Sequence, residues 1–325
     1  MPIGELMNVT NEPQTVAVDP MAAGRNPVSV NPPRWPKDFV WATIVLVACF
    51  IVPLTRLAWF AATSELYSHI LLVPFVSVYL AWLNRRNVRG FSEPNRRFAI
   101  LAWCAGSVLL AGYWLAVWSG WPMTNQDGLA WMTSAFVGCF FGLCGLFAGR
   151  ETLRAMRFPV CFLAFLVPFP TLVHNWLESF LQRGSALTAY GLFQLAGTPV
   201  LCNALNFQLP GFALQVAPEC SGIHSSLVLF LTSLVAGHLF LRSPWKRGIL
   251  ALAVLPLGLL RNGFRIFVIG QLCIHIGPQM IHSTIHHDGG PIFFALSMVP
   301  FFLLLILLQR SEQVPARPMD QQRSS

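Results

Sequence analysis

The chain has 325 residues, of which 55% are hydrophobic and only 10% charged, a balance that excludes a soluble globular protein and marks a polytopic membrane protein. Its formal net charge of +8 does not point to nucleic acid, because the cations fall in short clusters between apolar runs and not on a continuous basic face. Eight cysteines in a chain of this length are not a secreted disulfide framework. Cys49, Cys104, Cys139, Cys144, Cys161 and Cys273 lie in or beside apolar runs, where Cys behaves as a small hydrophobe, whereas Cys202 and Cys220 sit in wetter sequence.

Residues 1–37 are polar, rich in Pro, Asn and Val, and lack the apolar core and cleavage site of a signal peptide; they read as a flexible cytoplasmic tail. Residues 38–310 read as one all-α transmembrane domain with no internal repeat. Eight spans are expected, at about residues 39–55, 69–83, 98–118, 128–148, 158–173, 221–241, 248–269 and 291–308, with the second and fifth short for the roughly 20 residues that a crossing needs. Arg85, Arg86, Arg89, Arg96 and Arg97 separate spans two and three, Arg150, Arg154 and Arg157 separate four and five, and Arg242, Lys246 and Arg247 separate six and seven. The other connections carry almost no cations. By the positive-inside rule this alternation places both termini in the cytoplasm, residues 311–325 being a second cytoplasmic tail.

The longest outer connection, residues 174–220, is an interfacial segment with its own organisation. Trp176, Leu177, Phe180 and Leu181, then Leu187, Tyr190, Leu192 and Phe193, have the spacing of an amphipathic helix, and residues 205–216 alternate apolar and polar around Pro210-Gly211 as a small hairpin would. That hairpin delivers the chain to Ala217-Pro218-Glu219-Cys220-Ser221-Gly222, a polar turn at the start of span six.

A thiol there lies at the membrane surface, where a helix N-terminus and a nearby cation favour the thiolate. Arg265 lies about 17 residues into span seven, roughly 25 Å up the helix and so towards the same outer boundary. An ionisable residue within an apolar span is costly and usually functional; Arg261, four residues earlier, also reads as half of a structural pair with an acid. The outer acids are Glu65, Asp127, Glu178, Glu219 and Asp288. His224 and His238 read as core or helix-packing histidines. His282, His286, His287 and Asp288 have ligand-like spacing for a divalent metal, and equally place an imidazole on the outer side. Nucleophilic catalysis needs a thiolate, a proton shuttle and an oxyanion donor, and Cys220, a histidine from 286–287 and Arg265 fill those roles. A guanidinium stays charged even in lipid, which suits the last of them.

These residues carry a resemblance. Cys-Ser-Gly at 220–222, Asn-x-x-Arg at 262–265 and His-x3-Gly at 286–290, in order over roughly residues 40 to 310, resemble the exosortase/archaeosortase family of multi-spanning cysteine transpeptidases. The resemblance implies that Cys220, Arg265 and His286 are catalytic, with Asn262, His287, Arg261, Ser221 and Gly222 as candidate supporting residues and no cofactor or metal. It implies substrates that are exported proteins with a C-terminal sorting tail, namely a short motif, one transmembrane helix and a basic cluster. Cleavage would occur at the outer face of a bacterial inner membrane, within the lipid bilayer, with transfer to an acceptor. The chain departs from the family at Pro291, where an aromatic residue is common, at Arg261, where an apolar residue is expected, and at Pro218-Glu219. The doubled histidine leaves two frames, and His286 is the one that keeps Gly290 and Phe294 at the family spacing. Two other readings stay open: a metal-dependent membrane hydrolase using His282, His286, His287 and Asp288, and a transporter or assembly subunit that binds an anion through Arg261 and Arg265.

Overall fold

The computed structural model describes residues 36–85, 88, 93–217, 221–277 and 290–313. Cys220, His286, His287 and the rest of the His282–Asp288 cluster lie outside the described residues, as do almost all of both tails.

The described chain is a bundle of apolar helices. Helix α1 (Lys37–Cys49) and α2 (Ile51–Thr63) meet at a bend of 71°, where a single span was expected at 39–55. Pro53 explains the break: in a continuous helix its ring would strike the carbonyl of Cys49, so the chain restarts at Phe50 and takes the proline into a first turn. A 3-10 turn (Ser68–Leu71) leads into α3 (Val73–Asn84), whose 12 residues are fewer than a crossing requires.

Helices α4 (Arg96–Trp118) and α5 (Asn125–Phe147) form an antiparallel pair held close by small residues. A Cβ on Gly106 would lie 3.0 Å from the Ala135 carbonyl oxygen, and one on Gly142 would collide with the Trp103 indole. Both N-termini are capped, by the Asn95 side chain on Phe98 N (3.3 Å) and by Thr124 on Asp127 N (3.1 Å). After α6 (Gly149–Ala155), α7 (Arg157–Phe162) and a 3-10 turn (Leu163–Leu166), Pro168 and Pro170 end the helical run and α8 (Thr171–Leu195) departs at 93°. The expected span at 158–173 is thus the first arm of a bent pair, and the expected amphipathic helix is α8. The bundle closes with α9 (Ile223–Phe240), α10 (Pro244–His275) and α11 (Gly290–Gln313).

Among the described residues five helices, α4, α5, α9, α10 and α11, are long and apolar enough to cross a membrane, or seven if each bent pair is one span. The all-α polytopic architecture is therefore observed, and the expected second span, 69–83, corresponds to the short α3.

The two ends of the bundle differ in charge and chemistry. At one end Asn84 Nδ2 meets His238 Nε2 at 3.4 Å, His238 stacks on Phe158 with centroids 4.0 Å apart, and Asn95 N donates to the Gly145 carbonyl. Glu312 at the end of α11 accepts from Arg242 N and Ser243 N, both at 2.9 Å. These contacts gather the Arg-rich connections at a single end.

The other end carries a cap. Strands β1 (Leu201–Asn203), β2 (Asn206–Leu209) and β3 (Phe212–Gln215) form a three-stranded antiparallel sheet, with Gly211 at φ +88 turning the expected hairpin after Pro210. Phe207, Leu209 and Val216 bury against Ala186, Ala189 and Phe193 of α8 and Ile266 of α10. Helix α10 can support this cap because its 32 residues are about 48 Å long, well beyond the ~30 Å of hydrocarbon. Helix α8 lies against its upper half, where a Cβ on Gly263 would lie 2.6 Å from Thr188 Cβ.

Candidate active site

The chain enters the site from the cap under tight restraint. Val216 N donates to the Leu205 carbonyl at 2.9 Å, while the Val216 carbonyl accepts from the buried Gln182 Nε2 of α8 at 2.7 Å. Ser221 is 2% exposed, and Gly222, the residue before α9, takes φ +70, ψ +17.

That left-handed conformation is where glycine is needed, for two reasons. A side chain there costs roughly 1–2 kcal/mol of backbone strain. It also has no room: an added Cβ would lie 3.0 Å from Asn262 Cγ, 3.1 Å from Asn262 Oδ1 and 3.2 Å from Arg261 Nη2. Gly222→Ala is expected to destabilise the protein by about 1–3 kcal/mol. Thermal unfolding of the detergent-solubilised protein measures it; a variant as stable as the parent would mean that this junction is not under strain.

Helix α10 meets the start of α9 through residues 258–262. Gly258 leaves space for Ser226, whose Oγ would lie 2.7 Å from a Cβ at that position. Arg261, 8% exposed, sends Nη2 to the Gly222 carbonyl at 3.3 Å and to Ser226 Oγ at 3.4 Å, and Asn262 is 3% exposed beside it. Arg265 follows one turn later, half-buried on the same helix. The fold therefore brings Ser221, Gly222, Arg261, Asn262 and Arg265 to the junction of α9 with α10. Among the described residues the partners of Arg261 are neutral oxygens, and it braces the turn in which α9 begins; Glu219 and Asp288, two of the acids expected on the outer side, lie outside the described residues.

A second polar group lies beside this junction. His69, in the 3-10 turn, holds Nδ1 at 3.0 Å from the Leu66 carbonyl; burial keeps it below the ordinary histidine range, with the neighbouring His224 adding to that effect. Tyr67 accepts from Gln126 Nε2 at 2.8 Å, and burial, then the charge of Asp127, pushes its phenol up to about 12. Gln126 also donates to the Phe169 carbonyl at 2.6 Å, and Asp127 accepts from Thr171 N at 2.7 Å, so this network ties the starts of α5 and α8 to the turn after α2. His238 packs between helices at the Arg-rich end, stacked on Phe158, whereas His224 is exposed and neighbours His69. His69 and Tyr67 were not singled out from sequence; the signal for them is a polar break, Ser64 to His69, in an apolar run.

Cys202 is a free thiol on β1, with its Sγ 3.6 Å from the Ala204 carbonyl, and burial raises it above the usual thiol range. No group of three or more potential metal ligands occurs among the described residues.

A family model described as transmembrane exosortase matches residues 59–303, well over half of the chain. No curated protein and no solved structure matches it.

Proposed function

The chain belongs to the transmembrane exosortase family, and we propose that it is a membrane-embedded cysteine transpeptidase that removes the C-terminal sorting tail of exported proteins at the outer face of a bacterial inner membrane. Membership carries the general role: protein sorting in a lipid bilayer, on exported protein substrates, by a family of cysteine transpeptidases. The finer reading assigns Cys220 as nucleophile, Arg265 as the oxyanion donor and His286 as the proton shuttle. The observation that carries it is the meeting of two motifs distant in sequence: Gly222, two residues after Cys220, packs on Arg261 and Asn262 of α10, one turn before Arg265.

In this mechanism the Cys220 thiolate attacks the scissile carbonyl and the carbonyl oxygen becomes an oxyanion beside the Arg265 guanidinium. His286 protonates the leaving amine, and an acceptor nucleophile then releases the acyl-enzyme. Processing of a tail-bearing protein in isolated membranes tests the assignment. Alkylation should stop it and a chelator should not; the reverse pattern would favour metal-dependent hydrolysis.

The clustering of cationic connections at the end opposite the cap supports an orientation with that end in the cytoplasm. Single cysteines at Arg97 or Ser243 are therefore expected to label only from inside, and cysteines at Gln208 or Ala213 of the cap only from outside. Outside labelling at Ser243 would invert the proposed face of action.

A further inference from the structure

Away from the candidate site, the first half of the bundle is not filled. Helix α3 has only 12 residues, and the spans on either side of it bend, α1 against α2 by 71° and the α7 arm against α8 by 93°. Between α1, α2, α3, α5 and α7 this leaves a cavity of about 920 Å³ whose lining is almost wholly apolar. It runs along α3 from Ile70 and Leu71 to Arg85, about 20 Å, and Leu71, Val78 and Trp82 on its rim are exposed, so it opens sideways to the bilayer. A dry apolar crevice of this kind forfeits dispersion contacts unless hydrocarbon enters it.

Two polar groups on the lining show what kind of molecule the hydrocarbon belongs to. Arg85, at the Arg-rich end, folds back over the Trp82 ring with its guanidinium carbon 4.6 Å from the centroid, which holds the charge at the mouth of the cavity. The ion pairs of the described residues, His174–Glu178 and Lys246–Glu312, leave Arg85 without a carboxylate. The segments adjoining the mouth carry Lys37, Arg154 and Arg157 besides Arg85, against Asp38 and Glu151, so the excess is positive. Deeper in, Ser77 is 5% exposed and its Oγ has no hydrogen-bond partner. Thr43 on the same lining back-bonds to the Phe39 carbonyl at 2.8 Å, as a hydroxyl in a helix usually does; Ser77 keeps its donor for something else.

We infer that this cavity is a binding site for one anionic phospholipid from the leaflet at the Arg-rich end, with its phosphate on Arg85, an ester carbonyl within reach of Ser77 and acyl chain along α3. The length fits: an extended chain spans half of the ~30 Å hydrocarbon, less than the groove provides. The volume decides against the other apolar occupant of a membrane, a peptide helix, because a 20-residue helix about 30 Å long and 10 Å across fills more than roughly 2,000 Å³. Basic pockets between spans are where anionic headgroups are held. The bound lipid completes the packing that two bent spans and a short helix leave open, and it does not depend on the sorting reading.

The test is native mass spectrometry of the full-length protein in detergent, with dioleoyl phosphatidylglycerol and dioleoyl phosphatidylcholine as probes at equal concentration. The parent is expected to retain one phosphatidylglycerol at least about tenfold in preference to phosphatidylcholine. Arg85→Gln should cut that preference to less than about threefold, and Ser77→Ala should weaken phosphatidylglycerol retention about fivefold. Arg97→Gln, which removes an exposed charge at the same end but outside the cavity, should change neither. A parent without preference overturns the inference, and so does a preference that survives in Arg85→Gln. A photocross-linking residue at Leu163, half-buried in the lining, locates the occupant in intact membranes. Capture of a phospholipid there is expected; capture of a tail-bearing protein in its place would make the cavity a seat for the tail helix and overturn the lipid assignment.

Discussion

Cys220→Ala is expected to leave a membrane-inserted protein of near-parental abundance that accumulates uncleaved substrate, with processing down about a thousandfold or more. Deleting one small side chain disturbs stability far less than it disturbs covalent chemistry that depends on the deleted atom. Cys202→Ala is the control. Cys202 is a free thiol on the cap sheet, raised by burial and therefore poor in thiolate, so its loss should change stability by about 1 kcal/mol or less and leave processing intact. A structural disulfide between the two would predict the opposite: equal damage from both substitutions, and a Cys220 that resists alkylation until reduced. With a catalytic thiol, alkylation of Cys220 proceeds without reductant and stops processing. Loss of His286 slows that alkylation by removing the partner that favours thiolate, and comparison with His287→Ala decides which histidine is used. A Cys220→Ala protein that still cleaved a tail-bearing substrate would end the cysteine-peptidase reading.

How far the residues foretold the fold depended on the length scale of the signal. Span positions follow from hydropathy over about twenty residues, and α4, α5, α9, α10 and α11 all lie where that signal is strongest. The two bends, of 71° and 93°, were missed because each is set by one or two residues that hydropathy averages away: Pro53 after Phe50, and Pro168 with Pro170 before Thr171. The hairpin at 206–215 was legible because period-2 alternation and a Pro-Gly turn are both local, whereas β1, which pairs Cys202 with Phe207, has too few residues to show a period.

The candidate site divides in the same way. Gly222 and Asn262 could be placed in motifs, but not against each other, since their contact joins positions forty residues apart through helix packing. Arg261 was visible as an oddity, a charge where an apolar residue was expected, and its partners were not. An acid was the natural guess from charge alone. The neutral Gly222 carbonyl and Ser226 hydroxyl emerge only once α9 is seen to begin on Gly258 to Asn262.

The two arginines should separate under the mildest substitution that either can receive. Arg265→Lys is expected to lower processing about 100- to 1,000-fold, the usual cost of removing one oxyanion donor, because a compact ammonium on a flexible stem cannot reproduce the planar fork of a guanidinium. Arg261→Lys should retain much of the activity. Its Nη2 contacts are long and go to neutral oxygens, so an ammonium can replace them at smaller cost than it can replace an oxyanion donor. The kinetic signature distinguishes the cause: loss of a contact made only in the transition state lowers kcat, whereas weakened ground-state recognition raises KM. Arg265→Lys should therefore fall in kcat at unchanged KM. Equal losses in the same parameter at both positions would mean that the arginines, one turn apart on α10, act as a single unit and that the division of labour argued for them is wrong.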